Sequence, residues 1–125
     1  MPVVNHRDRP VILSASGQPS LSMVVNREVG AQQLSVWVAN HAPGEVVPPH
    51  THPVEEVLTF LAGEALVTVG AETFPVRADM TVIVPPGVPH GYTNTSNGPL
   101  RLVATLADPD AQLGQRWEPS ATAVR

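Results

Sequence analysis

Cysteine is absent from this 125-residue chain, which excludes disulfides, iron–sulfur clusters, zinc ribbons and thiol nucleophiles. Lysine is absent as well. All seven basic residues are arginines (Arg7, Arg9, Arg27, Arg77, Arg101, Arg116 and Arg125) in a chain of net charge −4. They are scattered and form no stripe that could follow a phosphate backbone, so no nucleic-acid partner is expected. Charged residues make up only 14% of the chain and hydrophobic ones 42%, a balance opposite to that of an intrinsically disordered sequence. No apolar run approaches the roughly 18 residues that span a bilayer. The first ten residues, MPVVNHRDRP, also lack the apolar core of a secretory signal. The expectation is a soluble, cytoplasmic protein with no membrane partner.

The length fits one domain, with a core that buries roughly two-thirds of the unfolded surface. Fourteen prolines and nine glycines punctuate the chain at short intervals rather than clustering as a linker. Between them lie short runs rich in Val, Leu, Ile and Thr, the pattern of an all-β sandwich or barrel. Strands are expected over Val11–Leu13, Leu21–Val25, Leu34–Asn40, Val54–Leu61, Ala65–Val69, Thr73–Val76, Thr81–Val84, His90–Thr95 and Leu100–Leu106. Residues 1–10 read as an irregular arm, 11–107 as the β-domain and 108–125 as a tail. One helical turn is expected in that tail, around Ala111–Gln115. No stretch sustains the 3.6-residue period of a long helix.

The chemistry concentrates in a few residues. His50 and His52 are two apart, so on a strand both imidazoles face one way. Glu56 follows four residues later, and His90 lies beside Pro85-Pro86-Gly87. Three imidazoles and a carboxylate suit a borderline divalent ion such as Fe, Mn, Ni, Cu or Zn. Four protein ligands also leave an octahedral ion two open positions, as catalysis requires, whereas a structural zinc is closed at four. A single His-x-His pair also arises by chance, and taken alone these residues leave both readings open.

The spacing adds a family resemblance. The first stretch runs Gly44, five residues, His50, Thr51, His52, three residues, Glu56, six residues, Gly63. The second runs Asp79, five residues, Pro85, Pro86, Gly87, two residues, His90, three residues, Asn94. These resemble the two sequence motifs of the cupins, with Asp79 at a usual glycine as the one departure among ten fixed positions. The resemblance implies a small single-domain antiparallel β-barrel, the double-stranded β-helix or jelly roll. It also implies one divalent transition metal ion per chain, held by His50, His52, Glu56 and His90.

Strand parity extends the site. Glu56, Leu58 and Phe60 share a face, as do His90, Tyr92 and Asn94, so Leu58, Phe60 and Tyr92 are expected to line a substrate pocket. Tyr92 is a candidate proton donor or substrate-orienting group, although a wall-forming aromatic is the simpler role. His41 is the second catalytic candidate, as a base beside the site; lying just before the Pro43-Gly44 break, it reads more simply as a surface histidine. Trp37 fits either the pocket wall or a dimer contact, Asn94 a turn-stabilising role, and Glu55 a solvated position.

Only Arg77 lies between the two motifs and none lies within them, which points to a small, fairly apolar or chelating substrate rather than a strongly anionic one. Small cupins with this ligand set resemble dioxygenases that cleave carbon–carbon bonds in diketones or flavonols, and a metal-dependent oxygenase is the first expectation. A redox-neutral isomerase, cyclase or lyase and a non-enzymatic binding or sensing barrel are the alternatives. A homodimer through the strands of Val11–Val25 is expected.

Overall fold

The computed structural model describes residues 3–14 and 16–116. Its strands are β1 (Val11–Leu13), β2 (Pro19–Val25), β3 (Ser35–His41), β4 (Val46–Thr51), β5 (Glu56–Ala62), β6 (Glu64–Val69), β7 (Glu72–Arg77), β8 (Thr81–Val84), β9 (His90–Asn94), β10 (Leu100–Leu106) and β11 (Gln115–Arg116). Short 3-10 turns at His6–Asp8 and Arg27–Val29 are the helical elements among the described residues. Every pairing is antiparallel. One sheet has the order β1-β2-β3-β10-β5-β8 and the other β11-β4-β9-β6-β7, the arrangement of a jelly roll. No helix among the described residues is long and apolar enough to cross a membrane.

Period-two patterning explains how the sheets close on one another. Leu58 and Phe60 on β5, and Leu100, Leu102, Ala104 and Leu106 on β10, point inward and are buried. From the opposite sheet come Ala65 and Val67 on β6, Val76 on β7 and Tyr92 on β9, all in the same core cluster. Their alternate neighbours Leu61, Leu66 and Ile83 face solvent, as a sheet with one buried face requires.

Three backbone features shape the site's surroundings. Gly63, in the turn from β5 to β6, has φ +86°, and a Cβ there would lie 2.7 Å from the Pro99 carbonyl oxygen; only glycine fits. Asp79 turns the chain from β7 into β8 at φ 70°, donating its N–H to the Phe60 carbonyl at 2.9 Å. The aspartate therefore takes up the left-handed conformation in which a glycine is unstrained, one of the few side chains that tolerates it. The third feature is β4, a strand carrying Pro48 and Pro49. Its register with β9 shifts between Val47 and His50, so the prolines fall where ladder bonds are already interrupted.

The segment expected to hold a helical turn, Ala111–Gln115, holds none. Residues 111–114 run without helix into β11, which pairs Gln115 with Thr51 and Arg116 with His50. Pairing with a strand 64 or more residues earlier overrides the weak local helical preference. The start of the segment is tethered: Arg27 donates its N–H to the Pro109 carbonyl at 2.9 Å and its guanidinium to Asp110. The part of the expected tail beyond residue 116 lies outside the described residues.

Candidate metal centre

His50 lies near the end of β4, directly opposite His90, the first residue of β9. Their rings are 4.4 Å apart between centroids. His52 sits in the short connection after β4, 5.1 Å from the His50 ring, and Glu56 opens β5. One ligand-capable atom from each of the four residues falls within 4.8 Å of every other. His52, Glu56 and His90 are buried, and His50 is half-buried.

Local hydrogen bonds fix the imidazoles. His50 Nδ1–H donates to the Pro48 carbonyl at 2.8 Å and His90 Nδ1–H to the Val88 carbonyl at 2.9 Å. Each bond leaves Nε2 as the nitrogen for a ligand role. His90 Nε2 also donates to Glu56 Oε1 at 2.7 Å. Burial opposes the His90 imidazolium, but its hydrogen bonds to Glu56 and to the Val88 carbonyl, with the Glu56 charge, outweigh it, and its pKa is raised. Its Nε2 proton is the one a ligand role would require it to release. His52 shifts the other way: burial, then the neighbouring His50 and His90, hold it below the usual imidazole range against the pull of Glu56.

His52 supplies the test of fit for a cation. Its Nε2 is buried without a hydrogen-bond partner and lies 3.7 Å from Glu56 Oε1, beyond hydrogen-bond range. A neutral imidazole nitrogen held this way, beside two more imidazoles and a carboxylate, is a donor set that fits a borderline divalent ion.

An adjoining cavity of about 170 Å³ is lined by the polar side chains of His50, Glu56, His90 and Tyr92 and by Trp37, Ala39, Leu58 and Ala104. Leu21, Val47 and Pro48 extend the lining, and Leu113 and Gly114 reach it from the C-terminal segment. An apolar cavity of ~150 Å³ holds one benzene ring, so this space takes a single ring or a short dicarbonyl. Leu58 and Tyr92 thus line the cavity as expected from parity. Phe60 does not: it faces inward but is fully buried deeper in the core, edge-on to Tyr92 at 6.2 Å. Trp37 resolves to the wall, 5.8 Å edge-on from the His52 ring.

The surface reading of His41 is overturned. His41 is the last residue of β3 and only 2% exposed. Its Nε2 meets the Tyr92 hydroxyl at 2.8 Å, while Nδ1 meets Ser20 Oγ at 2.9 Å and Glu45 Oε2 at 2.9 Å. Ser20 Oγ donates to the same Glu45 carboxylate, whose other oxygen accepts the Ala42 N–H at 3.1 Å. Burial raises the Glu45 pKa, but these bonds and the nearby imidazole outweigh it and the net shift is downward. Burial, then the Glu56 and Glu45 charges, push the Tyr92 phenol upward, keeping it protonated at neutral pH. Ser20 and Glu45 carry no motif signal, but His41 does: it continues the period-two series of Trp37 and Ala39. Asn94 is buried and structural, donating to the carbonyls of His41 and Gly98 at 3.1 and 2.9 Å. Glu55 faces solvent.

A jelly roll with this His/Glu cluster defines a class, and comparison with known proteins agrees. The cupin-domain family model matches residues 37–106; the chain belongs to the cupin family. It is similar to auxin-binding protein 1 of Arabidopsis thaliana, 30% identical over 124 residues, 87% of this chain and 62% of that protein. It is also similar to the protein named polyketide synthase CurC of Streptomyces cyaneus, 33% identical over 80 residues, 63% of this chain and 52% of that protein. The chain thus spans less than two-thirds of the length of either relative. The solved structure of the polyketide cyclase RemF from Streptomyces resistomycificus superposes with a TM-score of 0.73 at 18% identity, covering 94% of this chain and 87% of that one; that likeness shows the fold.

Proposed function

We propose that this cupin is a metal-dependent enzyme that moves a proton on a small enolisable or chelating organic substrate, by redox-neutral isomerisation, cyclisation or lyase chemistry. The observation that carries the reading is the hydrogen-bonded line from Glu45 through His41 to Tyr92, which ends on a wall of the cavity that His50, Glu56 and His90 also form. A divalent ion held by His50, His52, Glu56 and His90 would polarise a substrate carbonyl as a Lewis acid. The apolar walls formed by Trp37, Leu58 and Ala104 bind and orient the carbon skeleton and exclude water. The Tyr92 hydroxyl gives its proton to the substrate as His41 Nε2 resupplies it, or, in the reverse direction, takes one from the substrate as it passes its own to His41 Nε2. Glu45, part-exposed, orients the His41 ring and connects it toward solvent. The likeness to two proteins with polyketide names, CurC and RemF, supports carbonyl-rich substrates.

The second reading is dioxygenase-type oxidation of the same substrate class, favoured by a donor set that suits redox-active Fe, Mn, Ni or Cu as well as zinc. Elemental mass spectrometry on untagged protein, followed by turnover of small 1,3-diketones with and without oxygen, tests both. About one metal per chain and unchanged product formation without oxygen support the first reading. Stoichiometric oxygen uptake overturns it in favour of the second. Absence of metal after reconstitution, or tight binding without turnover, overturns both and leaves a binding barrel.

A further inference from the structure

The motif residues account for the polar wall of the cavity, but one of its sides comes from a segment outside both motifs. Residues 108–114 leave the end of β10 and return across β4 to begin β11. Ser35 Oγ, fully buried, donates to the Asp108 carbonyl at 2.6 Å. The Arg27 N–H holds the Pro109 carbonyl, and its guanidinium grips both oxygens of Asp110 at 2.8–3.1 Å. Gln115 and Arg116 pair with Thr51 and His50 at the far end. The segment is therefore tethered on both sides of Leu113 and Gly114, the two residues it contributes to the cavity.

Gly114 is where the strap lies against the histidines. A Cβ there would fall 2.5 Å from the Thr51 carbonyl oxygen, 2.6 Å from His50 Cδ2 and 2.9 Å from His52 Cε1. The Thr51 contact is with backbone and cannot yield by a rotamer change, so the close approach depends on glycine. Leu113 follows from that approach. It lines the cavity yet is 53% exposed, an apolar side chain at the boundary between the pocket and water, which a bound apolar group would cover.

We infer that Leu113 is a specificity-determining residue, setting the size of the apolar group the cavity accepts, and that Gly114 positions it by letting the strap lie on His50 and His52. The inference deepens the proposed function by naming what limits its substrate, but ligand size selection by the cavity can be measured without turnover. Leu113→Ala removes three carbons from the cavity lining. One methylene in an apolar pocket changes discrimination by about 10-fold or more, so a bulkier ligand gains at least that much relative to a small one.

The experiment uses the full chain carrying Trp117→Phe, which leaves Trp37 on the cavity wall as the one indole. Acetylacetone and benzoylacetone are titrated against Trp37 fluorescence, with metal content and metal affinity measured separately by chelator competition. Leu113→Ala is expected to improve benzoylacetone binding relative to acetylacetone by at least about 10-fold at unchanged metal affinity. Gly114→Ala is expected to lift the strap, blunting size selection as Leu113→Ala does and increasing hydrogen exchange over residues 108–116. Unchanged selectivity in Leu113→Ala, or wild-type hydrogen exchange in Gly114→Ala, overturns the inference. Absence of turnover with the size selection intact would instead count against the enzymatic reading alone.

Discussion

Replacing His52 by leucine should make the protein more stable than wild type without metal and less stable than wild type with it. With no metal bound, His52 Nε2 in this arrangement would be left buried without a hydrogen bond, a defect that costs about 1–3 kcal/mol. Leucine removes that nitrogen and fills most of the same space, but gives up the edge-on contact of the imidazole with Trp37 at 5.8 Å, worth about 0.5–1.5 kcal/mol. The net gain is about 1 kcal/mol, which raises the melting temperature of a domain this size by about 4 °C. With metal at a hundred times its Kd, wild type gains about 2.7 kcal/mol, a gain that His52→Leu should lose with the ligand. Differential scanning calorimetry in chelator and in excess metal measures both orders. His52→Leu should melt higher than wild type in chelator and lower in metal. A variant that melts below wild type in chelator, or rises equally with metal, refutes the reasoning about His52.

Four other changes have definite expected outcomes. Tyr92→Phe keeps the cavity wall but cuts the hydrogen bond to His41; kcat should fall by about 10²-fold with KM little changed, and steady-state kinetics that show a rise in KM alone would count against a proton role. Glu45 has a depressed pKa in the folded state, so its contribution is fully present above the unfolded carboxylate range and is lost as pH falls through the folded value; Glu45→Gln should flatten the acid limb of a urea-midpoint profile, and an unchanged limb would argue otherwise. Asp79→Gly relieves a left-handed aspartate, a strain of about 1–2 kcal/mol, against about 0.4–1 kcal/mol of added unfolded-state freedom; a urea midpoint that rises by the equivalent of up to about 1 kcal/mol is expected, and a fall would show that the side chain itself stabilises the turn. We also propose a homodimer contact through β1 and β2, where Val11 and Leu13 are exposed on the sheet edge; sedimentation should show a dimer that Leu13→Lys weakens, and a wild-type monomer would reject it.

The strands that were easiest to read were those with one buried face. The series Glu56, Leu58, Phe60 and the series Leu100, Leu102, Ala104, Leu106 alternate as a half-buried sheet must, and the spacing within the two motifs marked the four side chains, three close in sequence and His90 remote, that the fold brings together. Parity told which way Phe60 faces but not how deep it sits, because depth depends on the stacking of two sheets rather than on one strand. β4 was hidden by Pro48 and Pro49, which argue against a strand until the register shift against β9 is known. His41 was misread because its strand was ended one residue early, at Asn40. The contacts that gather Ser20 and Glu45 around it span 21 and 4 residues, and neither has a local pattern. β11 likewise exists only through its pairing with β4.

The candidate ligands do not all belong to one sheet. His50 and His90 stand on neighbouring strands of one, Glu56 opens a strand of the other, and His52 lies in the connection between them. A cation bound by all four would rivet the two layers at the point where the chain crosses over. The complete set exists only after the layers have docked, and a full opening has to break coordinate bonds before the apolar interior separates. Metal capture would then report the last stage of assembly, and its loss the first stage of disassembly, so a chelator that reaches the ion should speed unfolding rather than slow folding.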